Sequence, residues 1–199
     1  MTTADGTYDH AMTFFKDNPN VKGLLRKKDR GLANSIRAGI ENTSGDYILT
    51  LDTDMTHDPE LIPYLIHVSK KYDMVSGSRY CAGGDMADKG HYYLSLIFNW
   101  FIRLLLNTQV QDNLGGYFIM LRSSLSKLPF DYIFTGFGDY YFRLIHYVQH
   151  NGLMIVEIPT IYRVRHKGKS KTNMFSILLL YLRSVFAFKF FIIFKDPRK

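Results

Sequence analysis

The sequence predicts an α/β fold in which a mainly parallel sheet is flanked by helices. Short apolar, β-branched runs alternate along the chain with segments whose apolar residues recur at helical spacing. One run, Tyr47-Ile48-Leu49-Thr50-Leu51, lies between Gly45 and a polar stretch, as a buried strand does. Directly after it stand Asp52 and Asp54, at the carboxyl end of a strand, where open α/β sheets gather their ligands. With 199 residues, 46% of them hydrophobic, the chain can bury one sizeable core.

The elements follow in order. Tyr8, Met12 and Phe15 set a helix over 8–16 that ends before Pro19, and residues 21–25 have the character of a strand. Arg26 to Arg30 form a basic loop, followed by a helix over 31–41 and the turn Ser44-Gly45-Asp46 into the central strand. Asp58 is placed as N-cap and Pro59 as first residue of a helix reaching residue 70. Residues 73–76 give another short strand, closed by Gly77-Ser78-Arg79-Tyr80. Residues 91–106 are apolar almost throughout, with Arg103 the single charge, and read as a helix on the sheet or in an interface. A glycine-containing turn, Gly115-Gly116, enters a strand over 117–121. Gly136-Phe137-Gly138-Asp139 precedes a helix to residue 149, with Asp139 as its cap or as a cleft residue. Two strands, 153–158 and 160–164, break at Pro159 and run into the cationic loop Arg165-His166-Lys167-Gly168-Lys169-Ser170-Lys171.

Charge divides the chain. From Arg163 onward ten Lys and Arg face one acid, whereas the rest carries fifteen basic and seventeen acidic residues. The neighbours of the basic tail are Leu, Ile and Phe, which suits a membrane surface and argues against nucleic acid, whose binders interleave aromatics with Lys and Arg on a polar surface. Residues 174–194 hold only two charges, Arg183 and Lys189. The longest uncharged piece, 172–182, is eleven residues, short of the roughly 20 of a span. A central Arg costs on the order of 3 kcal/mol on insertion, and a helix lying in the interface avoids most of that because Arg and Lys snorkel. The expected organisation is a domain over 1–172 and a basic amphipathic interface helix over 173–199. The single cysteine, Cys81, allows no internal disulfide and fits a reducing compartment. The polar start, Met1 to Gly6, lacks the basic flank and apolar core of a secretory signal.

Two carboxylates as close as Asp52 and Asp54 repel unless a cation or proton offsets them, and Mg²⁺ typically takes one or two carboxylates plus substrate phosphates. An Asp-rich solvated turn that only caps the next helix would show the same residues, and spacing alone leaves both open. Arg79 at a strand end could hold a phosphate through its two-pronged fork.

The order of these motifs resembles family 2 glycosyltransferases, and among them the dolichol-phosphate mannose synthase-like and polyprenol-phosphate enzymes. Thr3-Ala4-Asp5-Gly6-Thr7 resembles the family's S-x-D-G-T turn, and Arg30-Gly31-Leu32-Ala33 to Gly39 its R-G-L-G-x-A-x-x-x-G helix. Asp52-Thr53-Asp54-Met55-Thr56-His57-Asp58-Pro59-Glu60 is similar to its D-A-D-L-x-H-x-P-E loop, with Thr56 where some members have Gln. Gly77-Ser78-Arg79-Tyr80 matches G-S-R-Y, residues 112–118 resemble D-x-x-S-G-F, and residues 165–171 resemble R-x-x-G-x-S-K. The family's first strand, and the acid pair closing its second, have no counterpart, so the sequence predicts a GT-A-type domain incomplete at its N-terminus.

The resemblance implies transfer of a sugar, mannose or a similar hexose, from a nucleotide-diphosphate sugar to a polyprenyl or dolichyl phosphate. It implies Mg²⁺ or Mn²⁺ on Asp52 and Asp54, and a cofactor-binding set of Asp5, Arg30, Asp52 and Asp54. It further implies an acceptor-phosphate set of Arg79, Arg165, Ser170 and Lys171, with Asp54, Arg79 and Arg165 catalytic. His57 is then a structural residue of the loop. The protein would act peripherally on the cytoplasmic side of a membrane, with a protein subunit as a further partner. A non-catalytic remnant that binds lipid phosphate or a partner protein is the other reading the sequence supports.

Overall fold

The computed structural model describes residues 6–26, 28, 31–163 and 174–196. Its helices are α1 (Thr7–Phe14), α2 (Leu32–Glu41), α3 (Ile62–Ser69), α4 (Lys89–Leu106), α5 (Arg122–Leu125), α6 (Phe130–Ile133), α7 (Tyr140–His150) and α8 (Met174–Phe194). Its strands are β1 (Tyr47–Thr50), β2 (Met74–Ser78), β3 (Asp85–Met86), β4 (Phe118–Leu121), β5 (Ile155–Pro159) and β6 (Ile161–Tyr162).

Four strands form the main sheet in the order β1-β4-β2-β5, while β3 and β6 pair in a small parallel sheet of their own. β4 is antiparallel to both neighbours and β2 is parallel to β5, so β1, β2 and β5 share one direction. The mainly parallel expectation is thus amended by one strand, and the cause is local. The turn before β4 is bonded to the carboxyl edge of the sheet, through Thr50 Oγ1 to the Gly116 carbonyl at 2.7 Å and the Gly77 amide to the Tyr117 carbonyl at 2.8 Å. A strand entering from that edge must run against the others. As a result Asp52, Arg79, Gly116 and Thr160 all emerge at the same edge.

Both faces of the sheet are covered. Met74, Phe118, Met120 and Ile48 lie in one core with Phe98 and Ile102 of α4 and Tyr141, Leu144 and Ile145 of α7. Val75, Tyr117, Ile119 and Ile158 pack on Leu65 of α3 across the other face. Helix starts follow the expected chemistry. The Asp58 carboxylate accepts the Glu60 amide at 3.1 Å ahead of a 3₁₀ turn, Pro59–Leu61, that runs into α3. Asp88 accepts the His91 amide at 3.0 Å to open α4, and Asn107, in the left-handed region at φ 55°, closes it.

Two expectations give way here. Residues 21–25 form no strand. Gly23 instead lies so close beneath Tyr8 and Met12 of α1 that a Cβ would meet the Met12 sulfur at 2.4 Å, and no strand pairs with the segment. Asp139 makes no side-chain cap to α7. It is buried, accepting the Phe137 amide at 2.6 Å, the Ser184 hydroxyl at 2.5 Å and the Arg143 guanidinium. Arg143 also donates to Ser184 Oγ at 2.6 Å and to the Thr135 carbonyl at 2.7 Å. Burial lowers the Arg143 pKa, against the pull of Asp139.

That cluster fastens α8 to α7. Val185 and Phe188 of α8 are buried in the main core, and Tyr181 and Phe186 meet Phe98 and Phe101 of α4 ring to ring. Residues Ser176–Phe194 are long and apolar enough to cross a membrane by length and composition, yet one stripe of the helix is held by the domain. Its other side leaves Leu179, Phe186, Phe190 and Phe194 exposed, next to exposed Tyr93, Ile97, Trp100 and Leu104 of α4.

Gly138 sets how closely α8 approaches, because a Cβ there would stand 2.2 Å from the Tyr181 hydroxyl. Gly138→Ala should therefore destabilise the fold by about 1–3 kcal/mol through overpacking, and Tyr181→Phe in the same chain should recover most of the loss. Thermal unfolding of the single and double variants checks this. A double variant no better than Gly138→Ala would remove the contact from the account.

Candidate active site

The site is built on the turn that leaves β1. Asp52 and Asp54 sit just beyond the strand end, and the turn between them and His57 is tight, with Met55 at φ 65°. Asp54 Oδ1 accepts the Thr56 amide at 3.1 Å and the Thr56 hydroxyl at 2.7 Å, which folds the loop on itself. The Asp52 amide donates to His57 Nδ1 at 2.8 Å, so Nε2 carries the ring proton. That Nε2 is buried without a hydrogen-bond partner. The His57 ring is 2% exposed, stacked on Tyr117 at 4.8 Å and edge-on to Tyr162 at 4.7 Å. Burial lowers its pKa while Asp52 and Asp54 pull the other way, and the ring stays neutral. His57 is thereby the internal brace of the acid loop, as expected.

The Asp52 carboxylate is exposed and accepts no hydrogen bond among the described residues. Among those residues no cluster of three or more His, Cys, Asp or Glu side chains is assembled. Two hard carboxylates on one loop, one of them open to solvent, fit a divalent ion that keeps most of its coordination for water and phosphate oxygens. They do not make a closed protein cage.

Arg79 follows β2 directly and is almost fully buried. Its Nε and Nη2 donate to the two oxygens of Asp112 at 2.8 Å each, and its amide donates to the same carboxylate at 3.1 Å. Asp112 is 0% exposed. The Tyr162 and Tyr80 rings lie 4.8 and 5.1 Å from the guanidinium carbon. Burial presses the Arg79 pKa down, but Asp112 more than offsets it and the net shift is upward. The fork that sequence reasoning reserved for a phosphate is committed to Asp112, because β2 ends where the buried acid of the 112–118 turn needs a counter-ion. Glu157 of β5 fixes that turn, accepting the Gln111 amide at 2.7 Å and the Asp112 amide at 2.9 Å. The Asn113 amide donates to Asn99 of α4 at 2.6 Å.

Arg163, immediately after β6, closes the arrangement. Its amide donates to the Thr56 carbonyl at 3.1 Å and its guanidinium to Asp58 Oδ2 at 2.5 Å. The chain thus leaves the small sheet while bonded to the acid loop, two positions before Arg165. Asp5, Arg30, Arg165, Ser170 and Lys171 lie outside the described residues. Of the predicted site residues, the structure describes Asp52, Asp54 and Arg79, and brings all three to one edge of the sheet. Sequence reasoning held Asp112 only as the start of the 112–118 motif, without its pairing to Arg79, and missed Glu157, Tyr162 and Arg163. A lone acid within the apolar run Ile155-Val156-Glu157-Ile158 was the available signal for Glu157; Tyr162 and Arg163 carried none.

Residues 2–129 match the model of the family described as glycosyl transferase family 2. The chain is 29% identical over 190 residues to a dolichol-phosphate mannosyltransferase of Pyrococcus furiosus, covering 92% of this chain and 51% of that protein. It is 30% identical over 178 residues to an undecaprenyl-phosphate mannosyltransferase of Micrococcus luteus, covering 85% and 72%. The chain thus spans about half the length of the Pyrococcus relative. Among solved structures it is similar to glucosyl-3-phosphoglycerate synthase from Mycobacterium tuberculosis in complex with Mn²⁺, UDP and phosphoglyceric acid, at TM-score 0.63 and 18% identity, over 98% of this chain and 65% of that one. The same enzyme with Mn²⁺, UDP and glucosyl-3-phosphoglycerate gives TM-score 0.61 and 19% identity, over 94% and 64%. The shared architecture is the GT-A type.

Removing one partner of a buried pair leaves a bare charge and costs about 3–5 kcal/mol. Arg79→Met should lower stability by that amount in urea unfolding, and Arg79→Met with Asp112→Leu should cost clearly less than the two single changes added together. Strict additivity would mean that the two side chains do not depend on each other.

Proposed function

The chain belongs to glycosyl transferase family 2, and on that premise we propose that it transfers a hexose, mannose or a similar sugar, from a nucleotide-diphosphate donor to a polyprenyl or dolichyl phosphate at a membrane surface. One observation carries this reading: Arg163 is bonded to Thr56 and Asp58, so the strand that leads toward the basic loop sequence is tied to the acid loop. The acids for the donor and the end of β6 then belong to one edge of the sheet, and the bases assigned to the acceptor follow Arg163 within a few residues of sequence. The mannosyltransferases of Pyrococcus and Micrococcus, named for dolichol phosphate and undecaprenyl phosphate, support the acceptor class.

In this reading Asp52 and Asp54 hold Mg²⁺ or Mn²⁺, which would neutralise charge developing on the departing diphosphate. His57 keeps the two acids in place, and Asp5 and Arg30 contact the nucleotide. Arg165, Ser170 and Lys171 bind the acceptor phosphate and aim one of its oxygens at the anomeric carbon. That oxygen is already anionic at neutral pH, so the step rests on positioning and needs no general base. As its bond to the sugar forms, the bond to the nucleoside diphosphate breaks. Arg79, held by Asp112, acts as a positioning residue for the edge that carries the acid loop. Exposed aromatic and aliphatic side chains on α4 and α8 suit the protein to peripheral contact with a membrane on the cytoplasmic side, with residues 173–199 as the interface segment.

The two halves are separable by experiment. Asp52→Asn or Asp54→Asn should weaken Mn²⁺-dependent binding of a nucleoside diphosphate at least tenfold, about 1.4 kcal/mol, in calorimetric titration. Arg165→Ala should weaken binding of a short polyprenyl phosphate about ten- to a hundredfold and leave nucleotide affinity within about a factor of two. Arg165→Lys should be impaired as well, because an ammonium lacks the fork. Loss of nucleotide binding in Arg165→Ala with lipid phosphate binding intact would reverse the assignment.

A further inference from the structure

A groove of about 350 Å³ runs along the flank of α4, lined by Leu96, Ile97, Asn99, Trp100, Arg103 and Gln111. Among the described residues, the acid loop contributes nothing to it. Its chemistry is divided. Leu96, Ile97 and Trp100 make an apolar wall, and Trp100 is 62% exposed. That wall continues onto Tyr93 and Leu104, which are equally open. The lining also includes the Arg103 guanidinium and the Asn99 and Gln111 amides.

Arg103 is the telling residue. Its Nε is buried, and no hydrogen-bond partner meets it. A buried N–H without an acceptor is costly, and native structures rarely leave one so. The acceptor that best matches a guanidinium is an oxyanion, which takes its N–H groups in parallel. The Gln111 side chain also makes no hydrogen bond among the described residues, while its backbone is fixed by Glu157. An anion held at Arg103 has hydrocarbon wall beside it, so the matching ligand carries an anionic head and an apolar tail on one molecule. An indole at the rim is the side chain that favours headgroup depth in a bilayer.

We propose that this groove binds the phosphate headgroup of an anionic phospholipid, with Arg103 meeting the phosphate and Leu96, Ile97 and Trp100 lying against the chains. The groove shares no lining residue with the Asp52–Asp54 loop or with Arg79, and the proposal rests on the membrane-surface reading above. It would also give that reading an orientation. Gln111 adjoins Asp112, the partner of Arg79, so a headgroup in the groove holds the carboxyl edge of the sheet at a set height above the lipid.

Trp100 is the single tryptophan of the chain, so its fluorescence reports this groove alone. The full chain is titrated with dihexanoyl phosphatidylglycerol below its micelle concentration, with dihexanoyl phosphatidylcholine, and with inorganic phosphate. The glycerol lipid should give a saturable blue shift, the choline lipid should bind at least fivefold more weakly, and phosphate alone should give no shift. Arg103→Gln should weaken binding of the anionic lipid about tenfold, with Arg103→Lys in between, both variants keeping the wild-type circular dichroism. An Arg103→Gln titration that overlays the wild type would overturn the proposal, as would an equal shift with phosphate alone. Flotation on phosphatidylcholine vesicles with and without phosphatidylglycerol separates the two readings. Equal flotation of wild type and Arg103→Gln on the anionic vesicles removes the groove's role and keeps the membrane reading. Binding of the monomeric anionic lipid without any flotation keeps the groove and removes the membrane reading.

Discussion

The buried bidentate pair between Arg79 and Asp112 is the constraint on which the working edge of this molecule depends. An unpaired charge at either position would be expensive, so the two segments that carry them must meet. Arg79 comes straight from β2, and Asp112 opens the turn that feeds β4 into the sheet from the opposite direction. Around this pair the rest is arranged by short hydrogen bonds from Glu157 of β5 and Asn99 of α4, and by the Tyr162 ring of β6 lying against the guanidinium. Tyr162 then touches His57, and His57 holds the Asp52 amide. A chain of direct contacts therefore runs from the centre of the sheet to the acids that face solvent.

The same arrangement explains what was legible in the sequence. β1 was readable as a short apolar run between turn residues, whereas the role of its two acids stayed open until the order of the other motifs was set beside them. The Asp58 cap, with Pro59 behind it, was readable because capping is decided within a few residues. Side chains whose partners lie far along the chain were not. Arg79 read as an open phosphate ligand because nothing local shows that Asp112 lies buried beside it. Asp139 stayed open between helix cap and cleft residue because Ser184, its partner, stands forty-five positions later on α8. The segment 21–25 has strand-like residues, yet a strand exists only where a neighbour supplies hydrogen bonds, and here the neighbour is α1. Likewise the reversed direction of β4 follows from where its turn is anchored, which residue patterns do not encode.

α8 shows how an apolar helix can belong to a domain and still present a greasy surface. Gly138 lets Tyr181 approach, the Asp139–Arg143–Ser184 cluster fixes the helix lengthwise, and Val185 with Phe188 fills the core. The remaining side continues the exposed face of α4 across the Phe101–Phe186 contact. α8 thus shares the main core with the sheet and its helices while its other side stays open to solvent.

The central claim is that the acid loop and the end of β6 form one donor-binding edge. Its most direct measurement is paramagnetic relaxation of backbone amides with Mn²⁺ and a nucleoside diphosphate bound. Broadening should centre on residues 52–58 and extend to Arg163, while Met154 and Ile155, at the far end of β5, keep their line widths. Broadening centred elsewhere, or confined to residues 52–58 with Arg163 unaffected, would contradict it.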